Sequence, residues 1–88
     1  MQVYYRKSFL KQYKKVPLKI QRKFKERLEL LLTDQEHPLL HVHQLTGELS
    51  VLSSMNVTGD YHALFTLDVA PRSVIFFYIG THSELYGK

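Results

Sequence analysis

Apolar residues recur at helical spacing in the first third of the chain. Phe9, Tyr13 and Val16 lie at i, i+4 and i+7, which predicts a helix that begins after Ser8 as its N-cap. Proline disfavours helical geometry in the residue before it, so Pro17 separates this helix from a second one. The buried stripe of the second helix comprises Ile20, Phe24, Leu28, Leu31 and Leu32. The pattern therefore predicts a helical hairpin.

Runs with β-strand character lie on both sides of this hairpin. Val3 to Tyr5 predict an N-terminal strand, and His37-Pro38 is predicted to end the second helix. After a connection that turns at Gly47, residues 51–57 and 61–67 alternate in polarity, and residues 73–79 are nearly all apolar. Connections at 58–60 and 68–72 are too short for crossovers, so the three strands pair antiparallel. The continuous apolar run places the last strand in the centre of its sheet.

Together these elements predict an α+β fold. An N-terminal strand precedes the αα-hairpin, and a three-stranded antiparallel meander follows it, with the helices packed on one face of the sheet. The 88 residues contain no repeat, linker or low-complexity segment, and 44% of them are hydrophobic. We therefore expect a single small domain over residues 1–88.

Composition excludes several classes of function. The chain has no cysteine, which excludes disulfides, thiolate catalysis and zinc sites with cysteine ligands. No stretch approaches the roughly 20 apolar residues of a membrane span. The first residues also lack the apolar core of a signal peptide, so we expect a cytoplasmic protein without membrane contacts.

The positive charge is concentrated in the first half of the chain. Residues 1–44 hold ten of the twelve cations and four of the eight acids, which gives +6 there and −2 in residues 45–88. Such a cationic region suits a polyphosphate or an acidic protein partner. A solvated, lysine-rich helix surface explains the same charge, and the two interpretations stay open at this point.

Five histidines, at positions 37, 41, 43, 62 and 82, are the main candidates for chemistry. Asp60 and His62 lie two apart on one strand and project to the same face. His43 and His82 lie beside predicted strand ends, and Tyr86 follows closely. Histidines with a carboxylate and a phenol form an acid–base set near neutral pH that needs no metal or cofactor. Alternatively, each histidine fills a polar position at a strand end.

A metal site is the weaker interpretation of the histidines. His41 and His43 lie two apart and would share a strand face, which permits a pair of ligands. No histidine pair forms the HExxH pattern of a metalloprotease, and no acidic residue completes a known ligand set. We therefore predict a site without a metal.

Three segments carry a resemblance to a known family. HQLTGEL (43–49), LSSMNVTGDYHALFTL (52–67) and VIFFYIGTHSELYG (74–87) resemble the RelE/ParE toxin superfamily, specifically its RelE and YafQ-like members. The resemblance covers the whole chain in element order. It implies the toxin of a type II toxin–antitoxin system, an mRNA interferase that enters the ribosomal A site and cuts mRNA there. Cleavage would use the 2′-hydroxyl of the RNA and leave a 2′,3′-cyclic phosphate or its 3′-phosphate product.

The resemblance also implies roles for individual residues. His43 matches a general acid or base, and Asp60 matches the aspartate that orients the histidines. His82 matches a residue that transfers a proton and contacts phosphate, and Tyr86 matches the aromatic that stacks on the nucleotide. Contacts to the substrate are expected from Asn56, Tyr61, His62 and Tyr78.

This chain departs from the family pattern at three of those positions. Asn56 stands where YafQ-like toxins have a further histidine, and Tyr78 stands where many have an arginine. His62 replaces an arginine, so a titratable group replaces a fixed cation that grips phosphate through two donors. Catalysis is therefore expected to be weaker, more dependent on acid or lost, unless His62 has taken over a proton transfer.

Two other functions share the predicted fold. One is a ParE-like toxin that inhibits DNA gyrase without catalysis, although such chains usually lack the histidines at strand ends. The other is a catalytically silent relative that keeps the surface for its partner. All three functions predict a cognate antitoxin, acidic and partly disordered when free, in a hetero-oligomer with this chain. The first also predicts the ribosome and its mRNA as partners.

Overall fold

The computed structural model describes residues 1–69 and 71–87, in which five strands form one mixed sheet. The strands are β1 (Gln2–Tyr5), β2 (His43–Gln44), β3 (Ser53–Asn56), β4 (Tyr61–Val69) and β5 (Arg72–Thr81). The helices are α1 (Lys7–Tyr13), α2 (Leu18–Thr33) and α3 (His82–Tyr86). The strand order is β1-β5-β4-β3-β2, with β1 parallel to β5 and the other pairs antiparallel.

This architecture confirms the predicted α+β fold. The chain runs from β1 through the α1–α2 hairpin into the meander of β3, β4 and β5. β5 lies between β1 and β4, as its apolar run predicts. Two elements were not predicted from the sequence. β2 lies within the segment that was expected to be a plain connection, and α3 follows β5 directly.

The predicted helix boundaries were wrong at two places. Ser8 does not cap α1, which begins at Lys7; its hydroxyl instead donates to the Phe77 carbonyl at 2.6 Å. α2 ends at Thr33, before the predicted His37-Pro38, because the chain leaves helical geometry at the next residue. Pro38 instead opens a 3₁₀ turn, in which the His37 ring accepts from the Leu39 amide.

The predicted loop at 68–72 is also shorter in the structure. Asp68 pairs with Ser73 and Val69 pairs with Arg72, so β4 and β5 both extend into the segment that was expected to be irregular. Ala70, within this connection, lies outside the described residues.

In the described residues, no helix combines the length and the apolar character that a membrane span requires.

The hydrophobic core lies between the sheet and the helices α1 and α2. Phe9 of α1, Phe24 of α2 and Phe76 of β5 are each at most 2% exposed, and their ring centroids lie 5.0–5.6 Å apart. Burying one such side chain contributes about 1.5–3 kcal/mol. The aromatic cluster therefore fixes both helices on this face of the sheet.

Helix α1 supplies hydrogen bonds along β5 beyond the end of β1. The last paired residue of β1 is Tyr5, opposite Phe76. Further along, the Ser8 hydroxyl donates to the Phe77 carbonyl, and the Gln12 side-chain oxygen accepts from the Ile79 amide at 2.9 Å. Because buried backbone groups need partners, these side chains stabilise the part of β5 that leads to α3.

A β-bulge in β5 changes the direction of its side chains. Leu64 pairs with Tyr78 but Phe65 pairs with Phe76, so Phe77 is the extra residue. Phe76 and Ile79 both belong to the core, although three residues separate them. Tyr78 therefore faces away from the core, on the face of the sheet that it shares with Leu64 and Ser54.

Candidate active site

An open pocket lies on the sheet face opposite α1 and α2. It has a volume of about 230 Å³ and is lined by His43, Leu45, Ser54, His62, His82 and Tyr86. We call it the histidine pocket. Its residues come from β2, β3, β4 and α3 and from the segment after β2, so the pocket exists only in the folded chain.

The strand register explains why these residues meet. One row across the sheet contains His43, Ser54, Leu64 and Tyr78, each opposite the next on the neighbouring strand. The following row contains Asn56, His62 and Gly80. Residues two apart on a strand share a face, so both rows lie on the same side of the sheet.

Helix α3 brings His82 and Tyr86 to the pocket. Its first turn is a capping box, in which the Thr81 hydroxyl accepts from the Glu84 amide at 3.2 Å. The Glu84 carboxylate in turn accepts from the Thr81 amide at 2.8 Å. His82 and Tyr86 lie one helical turn apart, with ring centroids at 4.6 Å. The capping box therefore holds the two rings together at the end of β5.

Close packing at Gly80 fixes the position of this helix. A Cβ atom at Gly80 would lie 3.0 Å from the Glu84 carboxylate and 3.3 Å from its Cβ. A Cβ at this position would therefore require the Glu84 side chain, which closes the capping box, to shift by a few tenths of an ångström. Gly87 ends the helix in the left-handed region, at a φ of 72°.

His62 is the most constrained histidine of the pocket. It is half-buried on β4, its Nδ1 lies 3.1 Å from Asn56 Oδ1, and its ring centroid lies 6.2 Å from that of His82. Burial lowers the pKa of His62 below its ordinary value, and positive charge on His82 or His43 lowers it further. The Asp60 carboxylate acts in the opposite direction. The net effect on His62 favours its neutral form.

His43 lies on the exposed edge strand β2. Its Nδ1 lies 3.0 Å from the His41 carbonyl oxygen, which only accepts, so the hydrogen is on Nδ1. The His41 and His43 rings lie 5.2 Å apart. His41 itself has a left-handed backbone with a φ of 45°. Residues 1–69 and 71–87 contain no group of three or more His, Asp or Glu side chains arranged to hold a metal ion.

Three other predicted site residues lie near the pocket but do not line it. Asp60 is exposed in the turn between β3 and β4, beside the pocket rather than in its wall. Tyr78 is half-buried on the same face of the sheet, directly opposite Leu64 on the neighbouring strand. Asn56 contacts His62 directly.

Tyr61 does not join the pocket. It packs against the core and, with Val16 and Ile79, lines a separate cavity of about 110 Å³ on the helical face. The alternation of β4 was sufficient to predict this, because neighbouring residues on a strand face opposite ways. We therefore leave Tyr61 out of the proposed site.

Leu45 and Ser54 line the pocket but were not singled out from the sequence. Ser54 is fully buried, and its hydroxyl has no hydrogen-bond partner in the structure. The sequence gives no signal for either residue. Only the register that places Ser54 opposite His43 identifies it.

Comparisons with known proteins show which solved structures share this fold. No protein-family model matches the chain, and no curated protein matches it. Among solved structures, the YoeB/ParE toxin from Agrobacterium tumefaciens matches with a TM-score of 0.79 at 12% identity, over 93% of this chain and 99% of that one. YafQ from E. coli strain BL21(DE3) matches with a TM-score of 0.76 at 22% identity, over 98% of each chain.

A third match comes from an archaeal complex. The RelE–RelB complex from Pyrococcus horikoshii OT3 matches with a TM-score of 0.73 at 18% identity, over 91% of this chain and 92% of that one. All three matches cover more than nine-tenths of both chains, so the similarity concerns the complete fold. The chain therefore has the fold of the RelE/ParE toxin superfamily, which confirms at the level of structure the resemblance that its sequence motifs carry.

Proposed function

We propose that this protein is the toxin of a type II toxin–antitoxin system and that it cuts RNA in the histidine pocket. The observation that carries the proposal is the convergence of three imidazoles and one phenol, from three elements, on a single open pocket. The solved relatives support the toxin role, because one of them is named as a YoeB/ParE toxin and another is a RelE–RelB complex.

The reaction that suits these groups is attack by a ribose 2′-oxygen on the adjacent phosphorus. The P–O5′ bond breaks, the proton of the 2′-hydroxyl passes to a base, and an acid gives a proton to the departing 5′-oxygen. The products are a 2′,3′-cyclic phosphate and a 5′-hydroxyl. Imidazoles can perform both proton transfers without a metal, and a protonated imidazole can stabilise charge at phosphorus.

Within this proposal His82 is the acid that protonates the 5′-oxygen, and Tyr86 offers a flat face to a base of single-stranded RNA. Stacking of this kind contributes about 1–3 kcal/mol per base. His43, on the exposed edge, is a second contact to the phosphate. Asp60 acts on His62 through its charge from the neighbouring turn.

We propose the ribosome as the site of action because of the charge on the helical half. The exposed cations of α1, α2 and their connection include Lys11, Lys14, Lys15, Lys19, Arg22 and Lys25. Such a surface binds polyphosphate with a strong dependence on salt. It would hold the toxin against ribosomal RNA while the histidine pocket reaches mRNA in the A site.

We also propose an antitoxin partner in the cytoplasm. Three of the solved relatives are RelE–RelB or RelBE complexes, from Pyrococcus horikoshii, Mycobacterium tuberculosis and Methanococcus jannaschii. For a chain with a pI near 9.4, an acidic segment that orders on binding is the complementary ligand. Copurification with a small acidic protein tests this partner.

Induced expression with and without His82→Ala tests the nuclease. We expect growth arrest with mRNA 5′ ends inside translated codons, and a loss of cleavage of about 100-fold or more in the variant. His37→Ala is the matched control, since His37 lies in the 3₁₀ turn outside the pocket. An equally toxic His82→Ala protein contradicts the proposal.

A gyrase-inhibiting toxin without catalysis is the second candidate, favoured by the match to a YoeB/ParE toxin. DNA-damage signalling with intact mRNA after induction would support it. Normal growth after expression without any antitoxin would instead support a silent relative that keeps only its partner surface.

A further inference from the structure

Asn56 and His62 form a side-chain pair across two strands next to the pocket. They lie directly opposite each other in the β3–β4 ladder, and His62 Nδ1 lies 3.1 Å from Asn56 Oδ1. Both side chains are half-buried. The contact therefore joins two groups whose backbones are already held by the sheet.

This contact fixes the tautomer of the imidazole. An amide oxygen only accepts hydrogen bonds, so the Nδ1 of His62 donates and carries the hydrogen. In a neutral ring the other nitrogen, Nε2, then carries the lone pair. His62 is thus held in the form that accepts a proton at Nε2, in the way that an orienting group prepares a catalytic histidine.

From this geometry we propose that His62 is the general base of the cleavage reaction and that Asn56 is the residue that positions it. His62 Nε2 would take the proton from the 2′-hydroxyl as the 2′-oxygen attacks phosphorus. The proposal rests on the RNA cleavage proposed above. It assigns to His62 the removal of the 2′-hydroxyl proton, whereas His82 protonates the departing 5′-oxygen.

The groups around His62 keep it ready to accept that proton. His82 faces it from α3, His43 and His41 from β2 and the residues before it, and Asp60 from the turn that precedes β4. Burial and the three histidines lower the pKa of His62, and they outweigh the carboxylate. A base must be unprotonated to act, and this environment favours the neutral form of His62.

The spacing of His62 and His82 suits one reacting phosphate. Their ring centroids lie 6.2 Å apart, with the planes inclined at 73°. A neutral base and a protonated acid at that separation can act on the attacking and departing oxygens of a single phosphodiester. His43 is the weaker candidate for the base because it lies exposed on a two-residue edge strand, and catalytic groups require supported positions.

The test combines the rate of mRNA cleavage on translating ribosomes with the tautomer of His62. We expect His62→Gln to lose cleavage by about 100-fold or more. The cleavage rate of this variant should also no longer decrease on the acid side of the pH profile. Asn56→Leu should lose about tenfold or more, and the ¹⁵N NMR signals of the His62 ring should move away from the Nδ1–H tautomer.

Asn56→Asp provides the conservative rescue. A carboxylate also accepts from Nδ1, so cleavage should stay within a few-fold of the natural protein. Because a negative charge favours the imidazolium, the acid limb of the pH profile should move to higher pH. His37→Gln, in the 3₁₀ turn and not among the residues that line the pocket, is the matched control and should leave rate and profile unchanged.

The outcomes separate this inference from the function on which it rests. If the natural protein cuts no mRNA, the proposed function is wrong, while NMR of the free protein still tests the pairing of Asn56 with His62. If the natural protein cuts and His62→Gln cuts equally well, His62 is not the base. If Asn56→Leu changes neither tautomer nor rate, Asn56 does not position it.

Discussion

The two faces of the sheet differ in what covers them. On one face, α1 and α2 bury an aromatic core in which Phe9, Phe24 and Phe76 are almost inaccessible. On the other face, the five-residue α3 and the two-residue β2 border a pocket with polar side chains. A chain of 88 residues has little apolar surface to spare, so stability is concentrated on one face and the candidate chemistry on the other.

This division teaches that a substitution should affect either folding or the site, according to the face it enters. β5 takes part in both faces. Val74, Phe76 and Ile79 belong to the core, whereas Gly80, beyond the bulge at Phe77, packs against α3. Four predictions test the separation.

The largest loss of stability is expected on the helical face. Phe76→Ala removes a fully buried ring that contacts Tyr5, Phe9 and Phe24, so the free energy of unfolding should fall by about 3–5 kcal/mol. Urea denaturation measures the change. Phe77→Ala, at the half-buried bulge, is the control with a smaller expected loss. Equal losses in the two variants would show that the core is not confined to this face.

Gly80→Ala should damage the site more than the core. The added methyl meets the Glu84 carboxylate at 3.0 Å and its Cβ at 3.3 Å. Glu84 must therefore shift by a few tenths of an ångström, which disturbs the capping box of the helix that carries His82 and Tyr86. We expect a destabilisation of about 1–3 kcal/mol and the loss of most mRNA cleavage. Gly59→Ala is the matched control because a Cβ there meets nothing within 4 Å. Unchanged cleavage in Gly80→Ala would mean that α3 does not set the site.

Replacing two buried serines by alanine should affect the free energy of unfolding differently. The Ser54 hydroxyl, in the pocket wall, has no partner, so Ser54→Ala should leave the free energy of unfolding unchanged or raise it by about 1 kcal/mol. The Ser73 hydroxyl donates to the Pro71 carbonyl at 3.3 Å, so Ser73→Ala should lower it by about 0.5–1.5 kcal/mol. Thermal and urea denaturation of both variants decide the comparison. A destabilised Ser54→Ala protein would indicate that the pocket wall contributes to folding.

The smallest expected effect is a dependence of stability on pH that arises from the pocket face. Burial lowers the pKa of His62 in the folded protein, so the unfolded chain binds a proton more readily. The contribution of His62 is therefore complete above pH 6.5 and declines as the pH falls through that value towards its folded pKa. Urea denaturation at pH 7.5 and 5.5 should show a smaller difference for His62→Gln than for the natural protein. If the His37→Gln control showed the same reduced difference between the two pH values, the pH dependence of stability would not arise from His62.

Local patterns were sufficient to predict most of the fold. The stripe from Ile20 to Leu31 gave α2, and alternating polarity gave β4, because an amphipathic element must turn its apolar side to the core. The position of β5 inside the sheet followed from its continuous apolar run. The sequence also identified His43, His62, His82 and Tyr86 as candidates, and the structure places all four around one pocket.

The tertiary structure decided what depends on pairing between distant residues. The run from Val74 to Ile79 has no alternation, so only the ladder with β4 locates the bulge at Phe77. Likewise, the register of β2 on β3 places Ser54 in the pocket wall. The pairing of Asn56 with His62 is of the same kind.

The amino-acid sequence by itself thus determined the elements, their order and the residue types of the site, because these follow from periodicity and side-chain chemistry along the chain. Which face each side chain occupies after the bulge, and which groups touch, was decided by backbone hydrogen bonds between distant strands. Those bonds form only when the whole sheet assembles, and no local pattern encodes them.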